Sequence, residues 1–139
     1  ALYVEAERVL RRWAELEDGW FLAGDYSQYP PELYDVLADP LLSLDISMFE
    51  DYQASGWRGL PGAEAPLTVQ PASGREPDGS EVALRVCQDS ANSPIVDASG
   101  EVVSEGGITV MVHYFRHVDG VLKMHDSNSF EVVEECPFG

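Results

Sequence analysis

The sequence predicts an α+β fold, with three N-terminal helices packed on one face of an antiparallel sheet. Three observations carry this. Apolar residues in the first third recur at 3–4 spacing, those after Gly62 alternate, and Asp119-Gly120 joins two long alternating runs. Helices followed by strands, without βα alternation, point to segregated layers and not to a parallel sheet.

Tyr3, Ala6, Val9, Leu10, Trp13 and Leu16 form the apolar stripe of the first helix, opposite Glu5, Arg8, Arg12 and Glu15. Gly19 or Gly24 ends or interrupts it, and Tyr29-Pro30-Pro31 imposes an extended turn. Pro31 suits the first turn of a short second helix carrying Leu33, Tyr34, Val36 and Leu37. Pro40 breaks that helix and opens a third, with Leu41, Leu44, Met48, Phe49 and Tyr52, for which Gly56 is a natural stop. Asp45 and Glu50 fall in its polar sequence and are expected to face water.

Leu67–Gln70 reads as a short strand, followed by a turn across Gly74–Gly79. In the next strand Val82, Leu84 and Val86 share one face, with Glu81, Ala83, Arg85 and Cys87 on the other. Short runs on either side of Ser99-Gly100 suggest a minor ribbon. Ile108–Val118 and Val121–Ser127 flank Asp119-Gly120, the strongest hairpin signal in the chain, and Phe130–Val133 extends the last strand. No repeat, low-complexity tract or linker divides residues 1–139, so the sequence predicts one domain.

Composition excludes several function classes. The net charge is −17, from 25 acidic and 8 basic residues spread along the whole chain. Such a surface repels phosphate backbones and anionic lipid, which argues against nucleic-acid and electrostatic membrane binding. No run approaches the ~20 apolar residues of a membrane span. The sequence opens at Ala1 without a methionine, as expected of a mature or trimmed segment whose signal has been removed. No dinucleotide, phosphate-loop, zinc-protease, serine-hydrolase or calcium-loop motif is present, so no cofactor or metal is expected.

The two cysteines, Cys87 and Cys136, lack the near neighbours that a metal site needs, and no local motif activates either as a nucleophile. A disulfide in an oxidising compartment remains, with inert buried thiols as the alternative. Uninterrupted pairing from the Asp119-Gly120 turn puts Phe115 opposite Met124, His113 opposite Asp126 and Tyr114 opposite His125. His113 and Asp126 are thus the candidate catalytic dyad, general base and orienting acid, against the plainer reading of a structural cross-strand pair. His125 and Tyr114 are expected on the exposed face. Trp13, Tyr34, Phe49, Phe115 and Met124 are candidates to line any cavity between helices and sheet, although aromatic residues in such a pattern more often form core.

Gly56-Trp57-Arg58-Gly59 leading into strands, Val86-Cys87-Gln88-Asp89-Ser90, the Val96-Asp97-Ala98-Ser99-Gly100 turn and the late Cys136 together resemble the NTF2-like (SnoaL-like) superfamily. The likeness is to secreted proteins and lipoproteins of actinobacteria. It implies a cone in which a curved sheet wraps a pocket, a Cys87–Cys136 bond and an extracytoplasmic location, and a homodimer through the outer sheet face, which domains of this architecture frequently form. No acid–base set of the superfamily's enzymes matches this chain residue by residue, so no catalytic residue is carried over. The functions that follow are non-enzymatic binding of a protein partner or small apolar ligand, or isomerase, dehydratase or hydrolase chemistry at His113 and Asp126.

Overall fold

The computed structural model describes residues 2–63, 65–72, 77 and 79–138. Helix α1 (Leu2–Ala23) is followed by a 3-10 helix (Pro31–Asp35) and helix α2 (Leu41–Ser55). Six strands come next: β1 (Leu67–Pro71), β2 (Val82–Asp89), β3 (Ile95–Val96), β4 (Val102–Ser104), β5 (Ile108–Val118) and β6 (Val121–Val133). Strands β1-β2-β5-β6 form a curved antiparallel sheet, while β3 and β4 make a separate ribbon. Most of the expected Gly74–Gly79 turn lies outside the described residues.

The apolar stripe of α1 buries Ala6 and Leu10 against β2 and β6. The helix passes through Gly19 and stops at Gly24, whose φ of +66° is left-handed and suits a residue without Cβ. Facing α1 are Val82, Leu84, Val86, Phe115, Leu122 and Met124, all at most 3% exposed. Ala83, Val112 and Tyr114 form a smaller cluster with Ala72, separate from the main core.

The helix count differs from expectation: among the described residues there are two α-helices, and the Pro31 segment makes only one 3-10 turn. Asp39-Pro40 leaves too little chain for a longer helix, and the edge of β6 offers better partners to the freed backbone. The Met124 N–H donates to the Val36 carbonyl at 2.9 Å, and the Ala38 N–H to the Met124 carbonyl at 2.9 Å. Val36–Ala38 therefore covers part of the sheet edge.

Asp119 and Gly120 both have positive φ and connect Val118 to Val121 as the sequence predicts. The pairing then slips twice. One β6 residue is added at His125, between the Phe115–Met124 and Tyr114–Asp126 pairs. A second enters near Ser129, whose φ is +59°. Each bulge moves later side chains to the opposite face of the strand.

The disulfide forms: Cys87 and Cys136 are joined with a Cα–Cα distance of 5.8 Å. Cys87 is fully buried on the strand face opposite the helices, so the bond holds the C-terminal tail on that side of the sheet. The Arg85 guanidinium lies 5.1 Å from the Phe138 ring centre and fixes the tail at a second point. Among the described residues no helix is long and apolar enough to cross a membrane.

Candidate functional site

A cleft of about 470 Å³ opens between the two α-helices and one end of the sheet. Trp13, Glu17 and Trp20 reach it from one stripe of α1, and Met48 and Tyr52 from α2. Its other wall comes from the loops around Ser90 and Gly106, together with Phe130 of β6. Those loops touch backbone to backbone: the Ser90 N–H donates to the Gly107 carbonyl at 2.8 Å, and any side chain at Gly106 would collide with the Ser90 carbonyl. Arg58, just after α2, exchanges two backbone hydrogen bonds with Val96, tying the helical layer to the ribbon.

The cleft is aromatic and holds a buried acid. Glu17 Oε2 is shielded from solvent and has no hydrogen-bond partner, and the same is true of the Trp13 and Trp20 indole nitrogens. Burial pushes the Glu17 carboxyl well above its ordinary value, and the negative charge of Asp45 pushes it further. Asp18 adds a smaller repulsion. The Trp13 indole works the other way, close enough to favour the charge but closing no hydrogen bond. Glu17 therefore carries a proton under conditions that ionise a surface carboxyl.

Asp45 corrects the expectation of a water-facing residue, being only 6% exposed. It shares a helical stripe with Leu41, Met48, Phe49 and Tyr52, which turns it inward. The Tyr29 hydroxyl donates to Asp45 Oδ2 at 2.6 Å, and burial followed by that hydrogen bond raises the Tyr29 phenol. Tyr52 is raised by burial and by the nearby Glu17 charge. Two carboxyls and two phenols thus meet behind an aromatic wall. Among the described residues lining the cleft, none is Lys, Arg or His.

The His113–Asp126 dyad does not form. The bulge at His125 puts Ser127 opposite His113 and turns Asp126 toward Tyr114. His113 Nδ1 is 2.6 Å from Ser127 Oγ, and its ring lies 5.7 Å from that of Trp13. Burial lowers the imidazole to about 4, so it stays neutral above mildly acidic pH. The same slip corrects the opposite face. Tyr114 and His125 are both buried, held by Asn128 Oδ1 at 2.8 Å and Ser80 Oγ at 2.7 Å.

Of the expected lining residues only Trp13 reaches the cleft. Phe49, Phe115 and Met124 are sealed in the core, and Tyr34 is 49% exposed beside Tyr29. Sequence reasoning missed Glu17. Its signal was present, since Glu17 stands four residues after Trp13 and three before Trp20, on the apolar stripe. Among the described residues no three His, Cys, Asp or Glu side chains are grouped to hold a metal ion. Neither family models nor curated proteins match the chain.

Proposed function

We propose that this protein is an extracytoplasmic domain of the NTF2-like kind that binds a small, largely apolar ligand in the cleft beneath α1. The observation that carries this reading is the cleft itself: a few hundred cubic ångströms, walled by indole and phenyl rings, with a few buried polar atoms left unpaired. Ligand sites have this composition, in which apolar walls supply affinity and a few polar groups fix orientation. Helices preceding a curved antiparallel sheet, with a cleft between the layers, support the NTF2-like assignment. The Cys87–Cys136 bond is compatible with an oxidising compartment and supports the location outside the cytoplasm, secreted or lipid-anchored.

Binding is preferred to catalysis because His113, the base of the enzymatic alternative, pairs with a serine and lacks a carboxylate to orient it. Titration with a neutral apolar fluorophore such as N-phenylnaphthylamine tests the reading. Saturable one-to-one binding is expected, with quenching of Trp13 and Trp20. Ala14→Phe, which fills the cleft from α1, abolishes it while the thermal midpoint shows the variant still folded. Absence of saturation, or equal binding by Ala14→Phe, would remove the cleft as a ligand site.

A further inference from the structure

We propose that the cleft selects an organic cation, a protonated amine on an apolar body, with its nitrogen on Glu17 and its body against Trp13 and Trp20. This inference rests on the ligand-binding reading above and names the class of ligand. Three independent features of the site converge on it.

The first is Glu17 itself, a partly buried carboxyl on the cleft wall whose shielded Oε2 has no donor from the protein. A carboxyl in that position is left for something that enters the cleft. An ammonium group supplies both a charge and N–H donors, and such charge-assisted hydrogen bonds are about twice as strong as neutral ones.

The second is the sign of the surroundings. Among the described residues, Asp18 on α1, Asp45 and Tyr52 on α2, Tyr29 before the 3-10 helix and Glu105 across the mouth surround the site and are all acidic, while His113, behind Trp13, is held neutral by burial. An anionic ligand would meet repulsion from every side. The net charge of −17 steers cations toward the mouth as well.

The third is the wall. Indole and phenol faces attract cations through the ring quadrupole, most strongly when water is excluded. A metal ion would fit the charge but not the site, which offers no cluster of three ligating side chains among the described residues and presents carbon over most of its area.

Below the raised pKa of Glu17, entry of the ammonium form releases that proton to solvent and leaves an ammonium–carboxylate pair, without covalent change. The ionised carboxylate then favours the Trp13 N–H that lies beside it. Acidification therefore weakens binding of the amine and leaves a neutral ligand of the same shape unaffected.

Isothermal titration with naphthylmethylamine, naphthylmethanol and naphthoate separates the outcomes. The amine is expected to bind roughly tenfold or more tightly than the alcohol at neutral pH, and the naphthoate not at all. Glu17→Gln should lose the amine's advantage while keeping the alcohol. In wild type, buffers of different ionisation enthalpy should report proton release, and the gap between amine and alcohol should close on acidification. If Glu17→Gln does not fold, that wild-type pH dependence decides the matter alone. Equal affinity for amine and alcohol, tightest binding of naphthoate, or an advantage that survives Glu17→Gln overturns the cation assignment and leaves the cleft as a ligand site. Failure of all three probes overturns both.

Discussion

Loss of the Cys87–Cys136 bond is expected to lower the unfolding free energy by about 4 kcal/mol, the largest effect of any change considered. The two residues are 49 apart, so the bond closes a loop that contains β3, β4, β5 and β6. In the chain-entropy model, opening a loop of about 50 residues returns that much freedom to the unfolded chain. The native state has few other means of holding the tail. Beyond Val133 the segment has no strand pairing, and the stacking of Phe138 on Arg85 is a contact worth ~1 kcal/mol at an exposed site. Urea unfolding of the oxidised protein and of the Cys87→Ser, Cys136→Ser double variant checks this. A midpoint that falls by an amount matching about 4 kcal/mol is expected, and coincident curves would show that the bond constrains little.

Glu17→Gln is expected to stabilise the protein at neutral pH, by about 1.4 kcal/mol for each pH unit that separates the folded and unfolded carboxyl pKa values up to that pH. The sign follows from proton binding. Glu17 has a raised pKa when folded and an ordinary one, near 4.5, when unfolded. Above that value the folded state must hold a proton that the unfolded state has released, so the residue opposes folding. Below it both states are protonated and the penalty disappears. The advantage of glutamine should therefore be absent below about pH 4.5 and grow as the pH rises above it, until the raised folded-state pKa is passed. Thermal midpoints of both proteins across that range provide the measurement. A destabilised variant at neutral pH, or a pH-independent difference, contradicts the account. A residue that costs stability and gives no structural return in the free protein is what a binding site requires.

The sequence made the architecture legible where local rules act alone. Asp119-Gly120 specified its hairpin because a two-residue turn with two positive φ values matches the twist of the strands it joins, and this residue pair adopts it readily. Gly56 ended α2, and the alternation of Val82, Leu84 and Val86 identified the core face of β2. What could not be read was the effect of one strand on another. The bulge at His125 leaves no mark in a pattern of alternating residues, yet it exchanged Asp126 for Ser127 beside His113. The Pro31 segment carries helix-like spacing, but pairing with Met124 across the sheet edge takes over after one turn.

The site was legible in part. Trp13 was identifiable as a wall, whereas Phe49, Phe115 and Met124 belong to the sealed core because the cleft opens toward one end of the sheet and not at its centre. Glu17 and Asp45 were hidden for a shared reason. Acidic residues on helices are read as solvent-facing by default, and here both break that rule on the faces of α1 and α2 that meet the cleft and core. A carboxyl at the apolar phase of a helix is the signal to seek in other chains of this kind.

Selection of a cation by the cleft depends on Glu17 being an acid that stays protonated above the ordinary carboxylate range until a cation enters. Titration of its side-chain carboxyl carbon by NMR, in free protein and with saturating naphthylmethylamine, tests this most directly. The free protein should show a midpoint well above the ordinary carboxylate range, and the amine should draw it down sharply. A Glu17 resonance that titrates like a surface carboxylate, unmoved by the amine, would contradict it.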